Sequence, residues 1–303
     1  MSARLLRGKP LAEKMRQELA ARAAAVSEER GSPPHLAILA IGGNPSSQIF
    51  LRKKLEACQE AGIECTMESL PESTSFTETQ RLMHKLAHDP AVDGIIFDMP
   101  VPQHLDPARL MEELSPDKDV EGVTATNAGR LVSHKSWASL RGSGVMIPCT
   151  PDAIIHLLLE TKVDPRGAEA VVIGRSNIVG KPTAHLLSSL DATVTLCHAQ
   201  TRGLAEHVRR ADILVCAIGK PGLVRGDWVK PGAVVLDAGT GMEGKRIAGD
   251  VEFEAAAQRA AFITPVPGGV GPLTVTFLLH NTVLAAERRL AALADSHKHH
   301  PTA

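Results

Sequence analysis

The stretch AEAVVIGRSNIVGKP, residues 168–182, decides the fold class of this chain. It begins as a short apolar run typical of a buried strand, turns at a glycine and continues into a helix. Strands and helices then alternate, which predicts a parallel sheet covered by helices, an α/β unit of Rossmann type. The predicted strands lie at 168–174, 193–198, 212–219 and 233–239, and the predicted helices at 178–189 and 204–211.

The N-terminal half shows a similar alternation and predicts a first α/β domain. Its predicted helices are 10–29, 46–62 and 77–89. Its predicted strands are 35–42 and 63–70, and 92–102 is predicted as a strand that runs into a proline-stiffened loop. We expect a boundary near residue 148 and a long, largely apolar final helix that returns to the first domain. The predicted domains are 1–148 with 272–296, a Rossmann-type domain at 149–271, and a disordered tail at 297–303.

Composition excludes several classes of protein. The 303 residues are 44% hydrophobic and 22% charged, with a formal net charge of −1, so nothing favours nucleic acid or an anionic membrane as a partner. No apolar run has the length of a membrane span, and the start lacks a signal-peptide core. The five cysteines show no C-x-x-C spacing and are interpreted as reduced thiols of a cytoplasmic protein. We expect no metal site, and the histidines of the tail are read as part of a disordered end.

Two loops are candidate binding sites. In GRSNIVGKP (174–182), Gly174 permits a tight turn, Gly180 permits close approach, and the amides at the helix start favour a phosphate that Arg175 could pair with. The alternative is an ordinary turn with a solvated arginine. The loop TPVPGGVGPLT (264–274) is rigid and poor in side chains, which suits a planar ligand; the alternative is an interdomain connection.

Single polar residues are ambiguous when taken alone. Asp98 and the acids of SPDKDVEG (115–122) follow predicted strands, where parallel sheets bind ligands, but an acid in a loop is ordinarily solvated. Lys54, within SSQIFLRKK (46–54), would ordinarily be a surface lysine. The chain contains no tyrosine, and Phe50, one helical turn before Lys54, offers that lysine no hydrogen bond.

The motifs together resemble one enzyme family. SSQIFLRKKLEAC, DKDVEG, PCTP, VVIGRSNIVGKP, TVTLCH, GDV and TPVPGGVGPLT occur in order from about residue 5 to 290, and they resemble the bifunctional methylenetetrahydrofolate dehydrogenase/cyclohydrolase, or FolD, family. The resemblance implies two α/β domains flanking a cleft that holds the folate. It implies oxidation of 5,10-methylenetetrahydrofolate with a nicotinamide cofactor and hydrolysis of the methenyl product to 10-formyltetrahydrofolate. It also implies a homodimer.

The resemblance assigns site residues and reveals departures. The family's catalytic lysine falls on Lys54, while its tyrosine falls on Phe50, its glutamine on Asp98 and its pterin-binding aspartate on Glu121. A family glycine falls on Ala153. The implied catalytic residues are Lys54, Asp98 and Phe50, and the implied substrate contacts add Glu121, Pro267, Gly268 and Gly269.

These departures lead to a hypothesis about the two reactions. If Asp98 reaches Lys54, it favours the ammonium form, which is a poorer general base. Hydride transfer needs mainly positioning, so we expect the dehydrogenase to survive better than the cyclohydrolase. The alternatives are a fully bifunctional enzyme, in which Asp98 and Glu121 compensate for each other, a paralogue acting on another one-carbon carrier, and a non-catalytic folate or nucleotide binder.

The cofactor side departs less from the family. Arg175 resembles the family's contact to the 2′-phosphate of NADP, whereas Ala199 stands where a serine is frequent and Arg202 lies nearby. We expect NADP rather than NAD. The implied cofactor contacts are Gly174, Arg175, Ser176, Val179, Gly180, His198, Ala199, Ile218, Gly219, Asp237 and Gly239.

Overall fold

The computed structural model describes residues 2–42, 45–244 and 246–299, and side chains within 2–42, 51–244 and 246–295. The chain forms two compact units. Unit 1 comprises Met1–Glu13 and Gly129–Phe277, and unit 2 comprises Lys14–Ala128 and Leu278–Ala303. No helix in the described part of the chain is long and apolar enough to cross a bilayer.

Unit 1 contains a six-stranded sheet in which every neighbouring pair is parallel. The central strands are largely apolar and buried, as expected for parallel strands that helices cover on both faces. In spatial order the strands are β1 (Arg4–Leu5), β11 (Phe262–Ile263), β8 (Val234–Asp237), β7 (Ile213–Cys216), β5 (Glu169–Ile173) and β6 (Thr193–Cys197).

Besides the sheet, unit 1 contains several helices and one hairpin. The helices are α5 (Ala125–Val132), α6 (Trp137–Ser143), α7 (Cys149–Glu160), α8 (Gly180–Ser189), α9 (Leu204–Arg210) and α10 (Phe253–Ala257), with a 3-10 turn at Gly226–Trp228. An antiparallel hairpin consists of β9 (Gly241–Glu243) and β10 (Arg246–Ala248). Four residues of α5 lie before the unit boundary.

Unit 2 is built on a three-stranded parallel sheet with the order β3 (Glu64–Leu70), β2 (His35–Ile41), β4 (Gly94–Asp98). All seven residues of β2 are buried because β2 is the central strand. The helices are α1 (Gly8–Arg30), α2 (Pro45–Glu60), α3 (Phe76–His88) and α4 (Pro107–Glu112). A capping box between Ser75 and Glu78 starts α3.

The final helix α11 (Val270–His299) ends in unit 2, as predicted. Arg289 Nη1 donates to Val92 O at 3.0 Å, and Asn281 Nδ2 donates to Val120 O at 2.8 Å. Arg22 of α1 makes a bidentate ion pair with Glu287 at 2.7 and 2.8 Å. The C-terminal part of α11 therefore completes the helical layer around β2.

The α/β class, the Rossmann-type sheet and the returning helix are confirmed. The boundary between the two compact units lies between residues 128 and 129, earlier than the boundary expected near 148. The first 13 residues belong to unit 1. The reason is that β1 pairs with β11, and His185 Nε2 contacts Leu131 O at 3.1 Å. The domain limits 149–271 and 272–296 stay a prediction. Helix α11 continues into the predicted tail 297–303, whose last four residues lie outside the described part.

Candidate active site

Lys54 and Asp98 form the centre of the candidate site in unit 2. Helix α2 carries Lys54, and Asp98 is the last residue of β4, at the carboxyl end of the parallel sheet. Lys54 Nζ lies 3.7 Å from Asp98 Oδ1, and the two side chains are 19% and 9% exposed. The distance indicates an ion pair without a close hydrogen bond, so each group keeps capacity for a ligand.

Glu121 belongs to the same charged cluster. Glu121 is half-buried, and burial raises the pKa of its carboxyl group to about 7. The positive charge of Lys54 opposes that rise in pKa, whereas the negative charges of Asp119 and Asp98 add to it. A carboxyl group with this pKa exchanges a proton near neutral pH, which suits acid–base work or a hydrogen bond of either direction to a ligand.

Asp119 is a residue that sequence analysis did not single out. Its side chain is fully buried and accepts hydrogen bonds from Thr124 N at 2.8 Å, Val123 N at 3.2 Å and Asn127 Nδ2 at 2.8 Å. Asp119 therefore holds the loop on which Glu121 lies. The motif DKDVEG contained a signal, because aspartate side chains in turns commonly accept hydrogen bonds from nearby backbone N–H groups.

The other two departures from the family pattern are Phe50 and Ala153. Phe50 is in helix α2, but its side chain lies outside the described residues. Ala153 is buried in α7 and belongs to unit 1, whereas Lys54 belongs to unit 2.

The turn after β5 in unit 1 is shaped by two glycines. Gly174 has a φ of 118°, and a Cβ there would lie 2.3 Å from Ala217 O. A Cβ on Gly180 would lie 1.9 Å from Gly174 O. Ser176 Oγ accepts from Val179 N at 3.1 Å and from Gly180 N at 3.3 Å, and Ser176 O accepts from Lys181 N at 3.1 Å. These amides at the start of α8 therefore donate within the turn, contrary to the prediction that they are available to a phosphate. Arg175, the arginine of this turn, is exposed.

Two buried aspartates accept hydrogen bonds from the loops that follow the strands next to this turn. Asp250 accepts from Ile218 N at 2.6 Å and from Lys220 N at 2.7 Å. Asp237 accepts from Gly239 N and Val251 N, each at 2.9 Å. Burial raises the pKa of both carboxyls, that of Asp237 to about 7. The motif GDV (249–251) contains Asp250, but no local pattern identifies its role, because that role depends on contacts with Ile218 and Lys220, which are distant in sequence.

The end of β6 carries His198 and Ala199. His198 N donates to Thr201 Oγ1 at 2.9 Å, and Gln200 N donates to His198 Nδ1 at 3.2 Å. Nδ1 is thus an acceptor, which leaves the proton of the neutral ring on Nε2. Ala199 and Arg202 are exposed, so an arginine is present in the turn that lacks the serine.

The loop before α11 is held by the N-terminal segment. Gly8 N donates to Gly268 O at 3.0 Å, and Gly269 N donates to Pro265 O at 2.8 Å. A Cβ on Gly8 would lie 1.9 Å from Gly269 O, so this approach requires glycine. The Val266–Pro267 peptide is cis. The loop is therefore firmly positioned while Gly268, at a φ of 109°, has open space on its Cα.

Comparison with known proteins accounts for both units. Residues 6–121 match the model of the tetrahydrofolate dehydrogenase/cyclohydrolase catalytic domain, and residues 148–290 match that of the tetrahydrofolate dehydrogenase/cyclohydrolase NAD(P)-binding domain. The chain belongs to the tetrahydrofolate dehydrogenase/cyclohydrolase family. It is 46% identical to the Bifunctional protein FolD of Azoarcus sp. over 297 residues, which are 96% of this chain and 99% of the relative. It is 45% identical to that of Moorella thermoacetica over 289 residues, 95% of this chain and 100% of the relative.

Solved structures of tetrahydrofolate dehydrogenase/cyclohydrolases agree with the fold. The bifunctional enzyme FolD of Campylobacter jejuni has a TM-score of 0.88 at 38% identity, over 95% of this chain and 100% of that chain. The Trypanosoma brucei enzyme, solved with NADP and an inhibitor, has a TM-score of 0.90 at 35% identity, over 95% and 99%. The family expectation is thus confirmed over nearly the whole chain.

Proposed function

We propose that this chain is a bifunctional enzyme of one-carbon metabolism. It oxidises 5,10-methylenetetrahydrofolate to the 5,10-methenyl compound with NADP and then hydrolyses that product to 10-formyltetrahydrofolate. The observation that carries the proposal is the cluster of Lys54, Asp98 and Glu121 at the carboxyl end of β4, in a chain whose two halves match the two domains of one family. Sequence identity of 46% and 45% to relatives named as bifunctional supports both reactions.

In the first step the cofactor supplies the chemistry, since the nicotinamide ring accepts the hydride. Unit 1 binds and orients it. The turn between β5 and α8, shaped by Gly174 and Gly180, and the side chain of Arg175 suit the phosphates, and Arg202 is a second cation near the end of β6. The firmly held loop at Pro267, Gly268 and Gly269 suits the planar nicotinamide and folate rings. The arginines favour NADP over NAD.

In the second step water adds to the methenyl carbon and a proton must leave. Lys54 is the retained family residue, and Asp98 lies close enough to share the work, either by orienting the water with Lys54 or by accepting its proton. Glu121 accepts hydrogen bonds from the pterin edge in its ionised form. The sequence-based hypothesis of a weakened hydrolysis is therefore not our main proposal, because the relatives favour the fully bifunctional alternative.

A dehydrogenase with little hydrolase activity is the second candidate. The distance of 3.7 Å between Lys54 Nζ and Asp98 Oδ1 favours it, because a carboxylate stands beside the lysine where the family pattern has a neutral glutamine. This candidate and the main proposal differ only in the fate of the methenyl product.

One time course tests both candidates. Purified protein receives 5,10-methylenetetrahydrofolate and NADP, and NADPH and methenyltetrahydrofolate are followed together against the enzyme-free hydrolysis rate. NADPH formation with clearance of the methenyl compound faster than the blank supports the bifunctional proposal. NADPH formation with clearance at the blank rate supports the second candidate. No NADPH with either NADP or NAD would reject both.

Other rivals are separated by ligand-induced thermal shifts. A shift with NADP but none with any folate would indicate a different one-carbon carrier. Shifts with both ligands and no turnover would indicate a non-catalytic binder. A homodimer and a cytoplasmic location remain parts of this proposal, and sedimentation velocity of the purified protein tests the first of them.

A further inference from the structure

Glu121 lies in a tight turn whose central carbonyl group is buried. Gly122 N donates to Asp119 O at 3.2 Å, which makes Val120 and Glu121 the two central residues of a β-turn. The carbonyl group between these two residues belongs to Val120, which is 0% exposed. Because a buried carbonyl oxygen without a donor is costly, the protein must supply a hydrogen bond to it.

The donor comes from the final helix. Asn281 of α11 is 161 residues away from Val120 in sequence, and its Nδ2 donates to Val120 O at 2.8 Å. The side chain of Asn281 is buried, and its Oδ1 lies 3.4 Å from His280 Nδ1. The two ends of the amide group thus face different partners, with the nitrogen directed to the turn.

Other contacts place the same turn alongside strand β4. Ile95 N donates to Lys118 O at 2.8 Å. A Cβ on Gly94 would lie 2.7 Å from Val120 Cγ1, so the side chain of Val120 occupies the space that this glycine leaves on β4. Strand β4 ends at Asp98, so the turn runs beside the strand that carries an acid of the candidate site. These contacts set the place of the turn, whereas the bond from Asn281 holds the peptide plane between Val120 and Glu121.

We propose that Asn281 is a positioning residue for the proposed reactions: by holding Val120 O it fixes the Val120–Glu121 peptide plane, and thereby the direction in which the Glu121 side chain leaves the turn. Rotation of the central peptide converts one β-turn type into another, and complete inversion requires a positive φ at the second central residue. The residues with positive φ do not include Glu121, and glutamate adopts such a φ unfavourably. Without Asn281 we therefore expect a partial rotation.

The consequence for turnover rests on the proposed function. There Glu121 binds the pterin edge, so a rotated peptide plane would misplace the folate. A misplacement of roughly 1 Å costs about 10²-fold in rate.

Three variants separate this role from simple packing. Asn281→Leu removes the donor and keeps a side chain of similar shape. Thr282→Val is the matched control, because Thr282 is the next residue of α11, is also buried, and donates from Oγ1 to Leu278 O at 2.9 Å within the helix. Urea denaturation shows whether each variant is folded under assay conditions. Asn281→Ser, which shortens the side chain but keeps a polar group, replaces Asn281→Leu if that variant does not fold.

A double-mutant cycle with Glu121→Gln tests whether Asn281 acts through Glu121. We expect kcat/KM for NADPH formation to fall about 10²-fold in Asn281→Leu and to stay at the wild-type value in Thr282→Val. In the Glu121→Gln background, Asn281→Leu should lower kcat/KM by less than about threefold, because the group that it positions is already changed. The same loss in both backgrounds would overturn the proposal, and so would a wild-type kcat/KM in Asn281→Leu.

A second readout requires no substrate. Carboxyl ¹³C NMR of the ligand-free protein follows the titration of Glu121, whose resonance is identified by its absence in Glu121→Gln. Burial raises the pKa of this carboxyl group to about 7. In Asn281→Leu the rotated side chain should gain solvent, so we expect the pKa to move toward its ordinary value of 4.5, whereas Thr282→Val should keep it.

The NMR result decides the positioning role independently of turnover. A pKa of Glu121 that stays near 7 or rises in Asn281→Leu would overturn the proposal. If the pKa falls as expected but the wild-type protein has no turnover with 5,10-methylenetetrahydrofolate and either nicotinamide cofactor, the proposed function fails while the positioning of Glu121 by Asn281 stands.

Discussion

At the scale of residues, a few charged side chains determine what the site of unit 2 can do. Lys54 and Asp98 are both largely buried, and Lys54 Nζ lies 3.7 Å from Asp98 Oδ1. The charges of both residues affect the pKa of Glu121. In such a cluster the protonation of one group depends on the others. Substitution of any one of them therefore changes the chemistry of the rest, which makes the cluster accessible to kinetic tests.

The first prediction concerns Lys54→Met. Methionine keeps an unbranched side chain but removes the cation, so we expect hydrolysis of the methenyl compound to fall by about 10²- to 10⁴-fold. Hydride transfer should fall less, because it depends mainly on positioning. Both rates are read from the coupled time course. Lys53→Met, at the preceding exposed position, is the control and should retain both rates. Equal loss of both rates would show that Lys54 acts only in folate binding.

The second prediction concerns Asp98→Asn. The negative charge of Asp98 helps to raise the pKa of Glu121, so its removal should move that pKa below about 7. The pH profile of kcat/KM for the dehydrogenase reports ionisations of the free enzyme. We expect its ionisation near neutral pH to shift to lower pH in the variant. A profile that keeps its midpoint would mean that Glu121 is not the group titrating there.

The third prediction links Asp237 to the pH dependence of stability. Its pKa is raised to about 7 in the folded protein, against an ordinary value of 3.8, so the folded state binds more protons between these values. Stability contributed by this group is complete below pH 4 and is lost as pH rises through about 7, by at most about 1.4 kcal/mol per pH unit. We therefore expect wild-type Tm to fall relative to that of Asp237→Asn between pH 5 and pH 8. A constant difference would contradict the assignment.

At the scale of elements, glycines decide how closely strands and helices approach. The turn between β5 and α8 depends on Gly180, whose Cα faces the carbonyl of Gly174. Helix α5 contains Gly129 with open space around it. The same substitution should therefore have opposite effects in the two elements.

The fourth prediction compares Gly180→Ala with Gly129→Ala. In Gly180→Ala the new methyl group would lie 1.9 Å from a backbone oxygen, so we expect a loss of about 1–3 kcal/mol and weaker NADP binding. Gly129→Ala should gain about 0.5–1 kcal/mol from the lower backbone entropy of alanine. Urea denaturation and an NADP titration measure both. Equal stabilities of the two variants would show that the α8 turn tolerates a side chain.

At the scale of the whole molecule, long-range ion pairs bring distant segments into unit 2. Asp93, buried after α3, accepts from Arg30 Nη1 at 2.8 Å and from His35 N at 2.9 Å, and Arg289 Nη1 lies 3.1 Å away. These contacts join α1, β2 and α11. A buried carboxylate with three donors fixes the ends of these elements, because each donor left without it would be costly.

The fifth prediction is that Asp93→Ala destabilises the protein by about 3–5 kcal/mol, because two arginines lose their buried partner. Global unfolding in urea measures it. The exposed ion pair of Asp164 with Arg166 supplies the control, and Asp164→Ala should leave the denaturation midpoint within error. Similar midpoints for both variants would show that solvent reaches Arg30 and Arg289.

By itself, the sequence determined the family, the α/β class, the principal strands and helices, and the candidate roles of Lys54 and of the two glycine-rich loops. Periodicity, glycine and proline act over a few residues, so these features can be read locally. Only the tertiary structure decided that Asp98 reaches Lys54, that β1 pairs with β11, and that Asp237 and Asp250 hold neighbouring loops. These contacts depend on strand register and packing between segments, which no local pattern encodes.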